Sequence, residues 1–359
     1  MRIEQLTFTR FLAAFFVVVF HYGRNVYPFN VEVLKPVLLR GNLGVSYFFV
    51  LSGFVLILAY YERGNFFGVQ QFYINRIARL LPTVYLALFL YIFYETILIG
   101  NKIQLDEFVI NFLFIQSWFP SLALSLNSPA WSLSVEFLFY LVFPFLLKML
   151  YYKLSLKKIF LVITIIWVIS LVILTVILNT GIYKSPPAAI HNFTFYFPLM
   201  HINAFLIGTI SAVFFLKIKD SFKSKTYQVI IISFIIFLCI YFQPKAINLH
   251  NGVLAPLFGL FLILLGSCKG KITKVFKSKF LIYLGRISFA FYILQSPIWR
   301  FFNYFTKSIE MTSNERFLFF VLTLTVISFL VYEIIEKPLN IKIRMLYYKN
   351  RQNIENANT

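Results

Sequence analysis

The sequence predicts an all-α, polytopic integral membrane protein, and its composition and the spacing of its apolar runs carry that prediction. Hydrophobic residues make up 60% of the 359 residues, charged residues make up 13%, and the mean hydropathy is +0.80. Soluble domains hold roughly 25% charged residues and about half apolar ones. This chain is therefore expected to fold as one bundle of about ten helices, each needing roughly 20 residues to cross a bilayer.

Ten apolar runs mark the expected membrane spans. They cover residues 6–23, 43–61, 80–100, 129–147, 159–178, 197–216, 226–242, 252–267, 280–299 and 316–336. A further run at 108–119 is too short to cross and is expected to form a re-entrant or interfacial helix. We predict one transmembrane domain over residues 1–345 and a polar, disordered cytoplasmic tail over 346–359.

The net charge of +20 by itself suggests nucleic-acid binding. The basic residues instead lie in short clusters between the apolar runs, and most of the 33 lysines and arginines fall on one side when the N-terminus is placed inside. We therefore expect no nucleic-acid partner, and a multi-pass protein of the cell membrane with both termini cytoplasmic. Residues 11–20 resemble a signal-peptide core, but no small-residue cleavage site follows, so we expect a retained first span.

A histidine closes the first apolar run. An ionisable side chain such as His21 within a span is costly, and it is therefore a functional candidate. Arg10 precedes it by eleven residues, which on a regular helix places the two about 20° apart in rotation and roughly 16 Å apart along one face. We expect both in one cleft, Arg10 near the cytoplasmic surface. A hydrogen-bonded interface histidine and a snorkelling arginine are the structural alternatives.

Two further arginines are expected at the cytoplasmic end. Arg76 and Arg79 in FYINRIARLLP are three residues apart, so they share a helix face. Arginine binds phosphate through two parallel hydrogen bonds and stays charged. The pair therefore indicates an anion site, with an ordinary charged helix end as the alternative.

The segment NSPAWSLSVEFLFYLVFP places an acidic residue inside an apolar run. Glu136 needs a partner at that depth. By their spacing Ser132, Glu136 and Tyr140 form one polar stripe, and Trp131 adds a polar group beside it. Interhelical hydrogen bonding without any chemistry explains such a stripe equally well.

The remaining polar features have structural interpretations. Glu336, at the end of the last span, is expected to pair with Lys337 at the interface, and Gly53 in GVSYFFVLSGF predicts close helix packing. His201 is expected to pack, and His250, like His191, to be solvated in an outer loop. The histidines lack metal-ligand spacing, so no metal site is predicted.

Taken in order, these fragments resemble the membrane acyltransferase 3 family (Acyl_transf_3), which includes O-antigen and exopolysaccharide O-acetyltransferases. Arg10 and His21 match its R-x10-H element, GVSYFFVLSGF its second-helix signature, and RIAR (76–79) its R-x-x-R. PAWSLSVEFLFYLVFP matches its W-S-L-x-x-E element, LGRISFAFYIL (284–294) a late-helix element, and EKP (336–338) its terminal E-x-P.

The resemblance implies transfer of an acyl group, commonly acetyl, from cytoplasmic acyl-CoA to a hydroxyl of a carbohydrate or lipid-linked glycan. It makes His21 the catalytic residue and the three arginines contacts to the coenzyme A phosphates. Glu136 is a second catalytic candidate. The candidate substrate contacts are Trp131, Ser132, Tyr140 and Glu336. Acetyl-CoA is then a donor, and no cofactor is expected to be bound permanently.

Two departures from the family pattern concern the outer side. Gln295 stands where many members have the histidine of Y-x-x-H-x-P, and His201 and Ala204 stand where arginine and glutamate are frequent. Both departures bear on the identity of the acceptor more than on the binding of the donor.

Both the role of His21 in the mechanism and the functional class of the protein have alternatives. His21 acts either as a general base or as a covalent acyl carrier, and Glu136 or Glu336 is a candidate for orienting its imidazole. A transporter of a glycan-linked or small molecule is the competing class, because intramembrane charges also suit a transport path. A non-enzymatic anchor for a glycan-synthesis complex is the third.

Overall fold

The computed structural model describes residues 3–243 and 247–357, with the side chains of 65, 66 and 350–357 not described. No β-strand occurs among these residues. The α-helices are α1 (Gln5–Val18), α2 (Lys35–Leu38), α3 (Leu43–Tyr60), α4 (Val69–Phe93), α5 (Leu105–Phe112), α6 (Trp131–Phe145), α7 (Leu156–Asn179), α8 (Ala189–Tyr196), α9 (Ile202–Ile218), α10 (Thr226–Tyr241), α11 (Ala255–Ser267), α12 (Lys271–Phe276), α13 (Lys279–Thr306), α14 (Ser313–Val331) and α15 (Lys337–Ala357).

The predicted polytopic helical membrane fold is confirmed. Eight continuous helical stretches are long and apolar enough to cross a bilayer: Gln5–Gly23, Leu43–Gly64, Val69–Ile99, Ser128–Tyr151, Leu156–Asn179, Ala189–Ile218, Lys279–Thr306 and Ser313–Lys349. The shorter apolar helices α10 and α11 occupy the other two predicted positions. The short element expected at 108–119 is helix α5, which begins earlier, at Leu105, and is followed by 3₁₀ turns.

Helix α3 lies at the centre of the bundle, and glycines let its neighbours approach it. A Cβ atom added at Gly53 would clash with the carbonyl oxygen of Phe205 in α9, and one at Gly208 would clash with the carbonyl oxygen of Val50 in α3. Small residues permit such close backbone approach in membrane bundles. The close packing predicted from the α3 sequence is therefore present, and α9 is the helix that uses it.

Several spans end in a π-helical turn, which places one more residue in each hydrogen-bonded ring than an α-helix does. One such turn, Val19–Gly23, extends α1 and carries His21. Another, Tyr332–Glu336, joins α14 to α15 and carries Glu336. These turns rotate both side chains away from the positions that a regular helical repeat gives them.

Helix α15 continues the chain beyond the last span. Its backbone is helical as far as Ala357, within the segment for which disorder was predicted from residue 346 onward. Residues 358–359 lie outside the described residues. The disorder of the tail stays a prediction.

Candidate active site

A polar cavity lies among α1, α3, α4, α6 and α13, and its empty space of about 750 Å³ is partly open to solvent. Its polar lining residues are Arg10, Ser52, Arg76, Arg79, Ser132, Glu136, Tyr140, Ser288 and Tyr292. Apolar side chains such as Phe48 and Leu133 complete the wall. Charged and hydroxyl groups thus face one space in the interior of a bundle that is otherwise apolar.

A second and wider cavity, which we call the basic cavity, lies between residues of α1 and α15. Its empty space of about 1500 Å³ is partly open to solvent. Its charged lining residues are Arg10, Arg76, Arg79, Arg286, Glu336, Lys337 and Arg344. Arg10, Arg76 and Arg79 also line the polar cavity. The two cavities therefore adjoin each other, with these three arginines at their junction.

The structure brings together the three arginines that the sequence singled out. Arg10 comes from α1, whereas Arg76 and Arg79 come from adjacent turns of α4. Arg76 lies 5.8–5.9 Å from the ring centroids of Tyr60, Phe72 and Tyr140, so aromatic rings fix its position. The contact of the three arginines with phosphates stays a prediction.

The polar stripe of α6 faces the polar cavity. Ser132, Glu136 and Tyr140 all line it, as their four-residue spacing predicts. The Ser132 hydroxyl lies 3.0 Å from the hydroxyl of Tyr292 in α13. Trp131 lies away from this lining, where its ring packs against Phe49, Tyr196 and His201. Because Trp131 does not line the polar cavity, its contact with substrate stays a prediction.

Glu336 occupies a different environment from the expected one. Its side chain is buried and accepts a hydrogen bond of 3.1 Å from the hydroxyl of Thr83 in α4. Lys337 instead pairs with Glu333, at 2.7 Å. The expected ion pair between Glu336 and Lys337 is therefore wrong, because the π-helical turn directs Glu336 into the bundle and leaves Glu333 on the side of Lys337.

His21 is held by a partner that the sequence did not indicate. Its Nδ1 lies 2.8 Å from Oε1 of Gln295, and Nε2 of Gln295 donates to the carbonyl oxygen of Tyr292 at 2.6 Å. Because that donor nitrogen faces the carbonyl, the amide oxygen faces His21, and Nδ1 must carry the proton. No hydrogen bond within the described part of the chain reaches Nε2 of His21, so its lone pair is free.

Hydrogen bonds through α13 connect His21 to a residue that lines the polar cavity. His21 itself does not line either cavity. Gln295 bonds to the backbone of Tyr292, whose hydroxyl borders the polar cavity and donates to the carbonyl oxygen of Pro129 at 3.1 Å. Gln295 is thus the observed partner of the imidazole, and neither Glu136 nor Glu336 makes a described hydrogen bond with it.

The structure also overturns the expectation that His250 is solvated in an outer loop. It lies in the loop between α10 and α11 but is only 5% exposed, with its ring packed against Phe195 and His201. Burial lowers the pKa of His250 to about 4. The loop folds back onto α8 and α9, which loop position in the sequence does not reveal.

Sequence reasoning missed the basic residues contributed by α13 and α15. Arg286 falls in the LGRISFAFYIL element and Lys337 in the expected surface pair, but neither they nor Arg344 were expected to bind an anion. The signal was present in the spacing of Lys337, Asn340, Ile341 and Arg344, which recur at three- and four-residue intervals and line the basic cavity together. Their partners on α4 could not be inferred from spacing within one helix.

The fold and the site together define a multi-pass membrane protein with a basic cavity, an adjoining polar cavity and a histidine whose Nδ1 is held by a glutamine. Residues 3–333 match the acyltransferase domain family Acyl_transf_3, so the chain belongs to that acyltransferase family. The six elements that carried the resemblance fall within or directly beside the matched region. The family prediction is confirmed.

Curated relatives carry related activities in their names. The chain is 34% identical over 154 residues to the acyltransferase MdmB of Streptomyces mycarofaciens, covering 40% of this chain and 38% of that one. It is 25% identical to a putative O-acetyltransferase of Staphylococcus aureus, covering 88% of this chain and 55% of the relative. It is 26% identical to the peptidoglycan O-acetyltransferase OatA of Listeria monocytogenes, covering 86% and 53%.

The chain spans about half the length of the two O-acetyltransferases that it matches. No solved structure matches the fold at a significant level.

Proposed function

We propose that this protein is an O-acyltransferase that moves an acyl group, acetyl in the first instance, from cytoplasmic acyl-CoA to a hydroxyl of a cell-surface or secreted polysaccharide. The observation that carries the proposal is that the basic cavity adjoins the polar cavity, which Tyr292 borders, at Arg10, Arg76 and Arg79. Membership of the acyltransferase family supports the reaction class.

The positive charges where the two cavities meet support an acyl-CoA donor. Coenzyme A carries a diphosphate and a phosphomonoester, and arginine is the side chain best suited to bind such groups. Arg10, Arg76 and Arg79 at the junction would hold the phosphates, and the slender pantetheine arm would continue into the polar cavity. Placing the basic cavity at the cytoplasmic side, with both termini in the cytoplasm of a cell-membrane protein, agrees with the distribution of basic residues.

The tautomer of His21 supports a role in proton transfer. With Nδ1–H held by Gln295, the free lone pair on Nε2 can take the proton of an acceptor hydroxyl. The hydroxyl oxygen then attacks the thioester carbonyl carbon, the carbon–sulfur bond breaks, and the proton passes from Nε2 to the leaving thiolate. In the alternative, Nε2 attacks the same carbonyl carbon and the carbon–sulfur bond breaks to release the thiolate. The acceptor hydroxyl then takes the acyl group from Nε2, and its proton passes to the thiolate.

The remaining polar residues have proposed roles around this step. Glu136, in the polar cavity, is retained as a second catalytic candidate, and Ser132 and Tyr140 as substrate contacts, since all three face the same space. Glu336 faces the basic cavity and Trp131 lies beside Tyr196, so their proposed substrate contacts rest on the sequence alone.

The acceptor is proposed by analogy with the named relatives, one of which acts on peptidoglycan. The test compares the surface glycans of cells with and without the gene, using mass spectrometry of ester-linked acetyl groups. We expect an acetyl ester that disappears with the gene and returns with the wild-type copy. Acetyl content that is unchanged without the gene contradicts a polysaccharide acceptor and favours the transport alternative.

Changing Gln295 should lower turnover without weakening donor binding. Gln295→Leu removes the acceptor for Nδ1–H, so the imidazole loses its fixed tautomer and orientation, and we expect kcat to fall about tenfold or more. Gln295→His keeps an acceptor nitrogen and should retain most of the activity. The measurement is the steady-state rate of thiol release from acetyl-CoA. A leucine variant with unchanged kcat would show that the tautomer is not controlled here.

A further inference from the structure

Helix α15 closes one side of the basic cavity, although it begins after the region matched by the family. The match ends at residue 333, whereas α15 begins at Lys337. The helix packs along α4, where Gln71 donates to the Tyr348 hydroxyl and the Tyr347 hydroxyl donates to Gln70 at 3.4 Å. One face of α15 thereby becomes a wall of the cavity.

The residues that line the basic cavity carry more positive than negative charge. Among its described lining residues, six are cationic and one, Glu336, is a carboxylate. Lys337 is already paired with Glu333, which lies outside the lining. Arg344 has no ion pair among the described residues. A cavity of this charge is suited to a ligand that carries several negative charges.

Two buried donors in the wall lack partners. Nε of Arg76 and Nε of Arg344 are each buried without a hydrogen-bond partner in the described structure. A buried donor left unpaired is unfavourable, more so when it is charged. The like charges of these two arginines also repel each other across the interface between α4 and α15. An anion bound between the two guanidinium groups would offset this repulsion.

The position of Arg344 selects which part of the donor it meets. Arg76 lines both cavities, but Arg344 lines only the basic cavity. The thioester must extend toward the polar cavity and His21, so the opposite end of the donor lies beside α15. In an acyl-CoA that end is the nucleotide, whose ribose carries a phosphomonoester with between one and two negative charges near neutral pH.

We infer that Arg344, together with Arg76, binds the ribose phosphomonoester of the acyl donor, so that α15 recognises the nucleotide end of the substrate. The inference rests on the proposed acyl-CoA donor. It adds a substrate-binding residue on a helix outside the family match, and it assigns that residue to one phosphate rather than to the donor as a whole.

The test measures equilibrium binding of coenzyme A and of 3′-dephospho-coenzyme A to the full chain in lipid nanodiscs. We expect the wild type to bind coenzyme A about tenfold more tightly than the dephospho form, since that phosphate makes charge-assisted hydrogen bonds. Arg344→Gln should lose most of this difference and leave the affinity for the dephospho form unchanged, which also shows that the variant is folded. Arg344→Lys should keep part of the difference.

Lys342→Gln is the matched control, because Lys342 is an exposed cation on the same helix and does not line the basic cavity. It should leave both affinities unchanged. The inference is overturned if Arg344→Gln weakens both ligands equally or weakens neither. If the wild type binds neither ligand, the acyl-CoA donor itself is wrong, and the assignment of Arg344 falls with it.

Discussion

Replacing His21 by alanine should reduce acyl transfer by about 100- to 10,000-fold, the range that a positioned general base contributes. The loss is expected because Nε2 of His21 is the free basic atom of an imidazole whose other nitrogen is held by Gln295. The measurement is the rate of acceptor-dependent thiol release from acetyl-CoA by purified protein. Coenzyme A affinity should stay near the wild-type value, because His21 lines neither cavity.

His191→Ala is the matched control for this variant. His191 lies on α8, where its Nδ1 contacts the Tyr183 hydroxyl at 2.9 Å, and it lines neither cavity. It should retain wild-type turnover. A His21→Ala protein that transfers acetyl at the wild-type rate would leave His21 with a structural role only.

Replacing Arg10 by glutamine should weaken donor binding. Arg10 lines both cavities and is the cation contributed by α1, so its loss removes one of the three cations at the junction. A hydrogen bond to a charged group contributes about 1.5–3 kcal/mol, which corresponds to a change in coenzyme A affinity of about 10- to 150-fold. Direct binding measurements on the purified protein check this value.

Arg63→Gln is the control for Arg10→Gln. Arg63 is exposed, stacks on Tyr60 and donates to the carbonyl oxygen of Ala59, and its side chain does not line the basic cavity. Its removal should leave the affinity for coenzyme A unchanged. Equal losses in the two variants would indicate that general positive charge, rather than the junction, attracts the donor.

The membrane fold was predictable because its physical cause is local. A span must satisfy its own backbone hydrogen bonds in lipid, so it appears in the sequence as one continuous apolar run. The stripe of Ser132, Glu136 and Tyr140 was predictable for the same reason, since its spacing lies within one helix. Even α10 and α11, shorter than the other spans, stand out by apolar composition alone.

The contacts between distant segments were not predictable in the same way. Gln295 is 274 residues from His21, and nothing in the spacing of either helix indicates their hydrogen bond. The π-helical turn at Val19–Gly23 also departs from the regular repeat on which the expected register of Arg10 and His21 was based. The hydrogen bond between Glu336 and Thr83 on α4 likewise could not be inferred from spacing within one helix.

The proposed donor, its side of entry and the role of His21 can be tested in one measurement. Inside-out membrane vesicles from cells with the wild-type gene, the His21→Ala gene or no gene receive acetyl-CoA labelled in the acetyl group, and ester-linked label in glycan is then counted. We expect label with the wild type alone, and none when sealed right-side-out vesicles receive the same donor. Equal label in all three preparations, or label that enters from the outer face, would contradict the account.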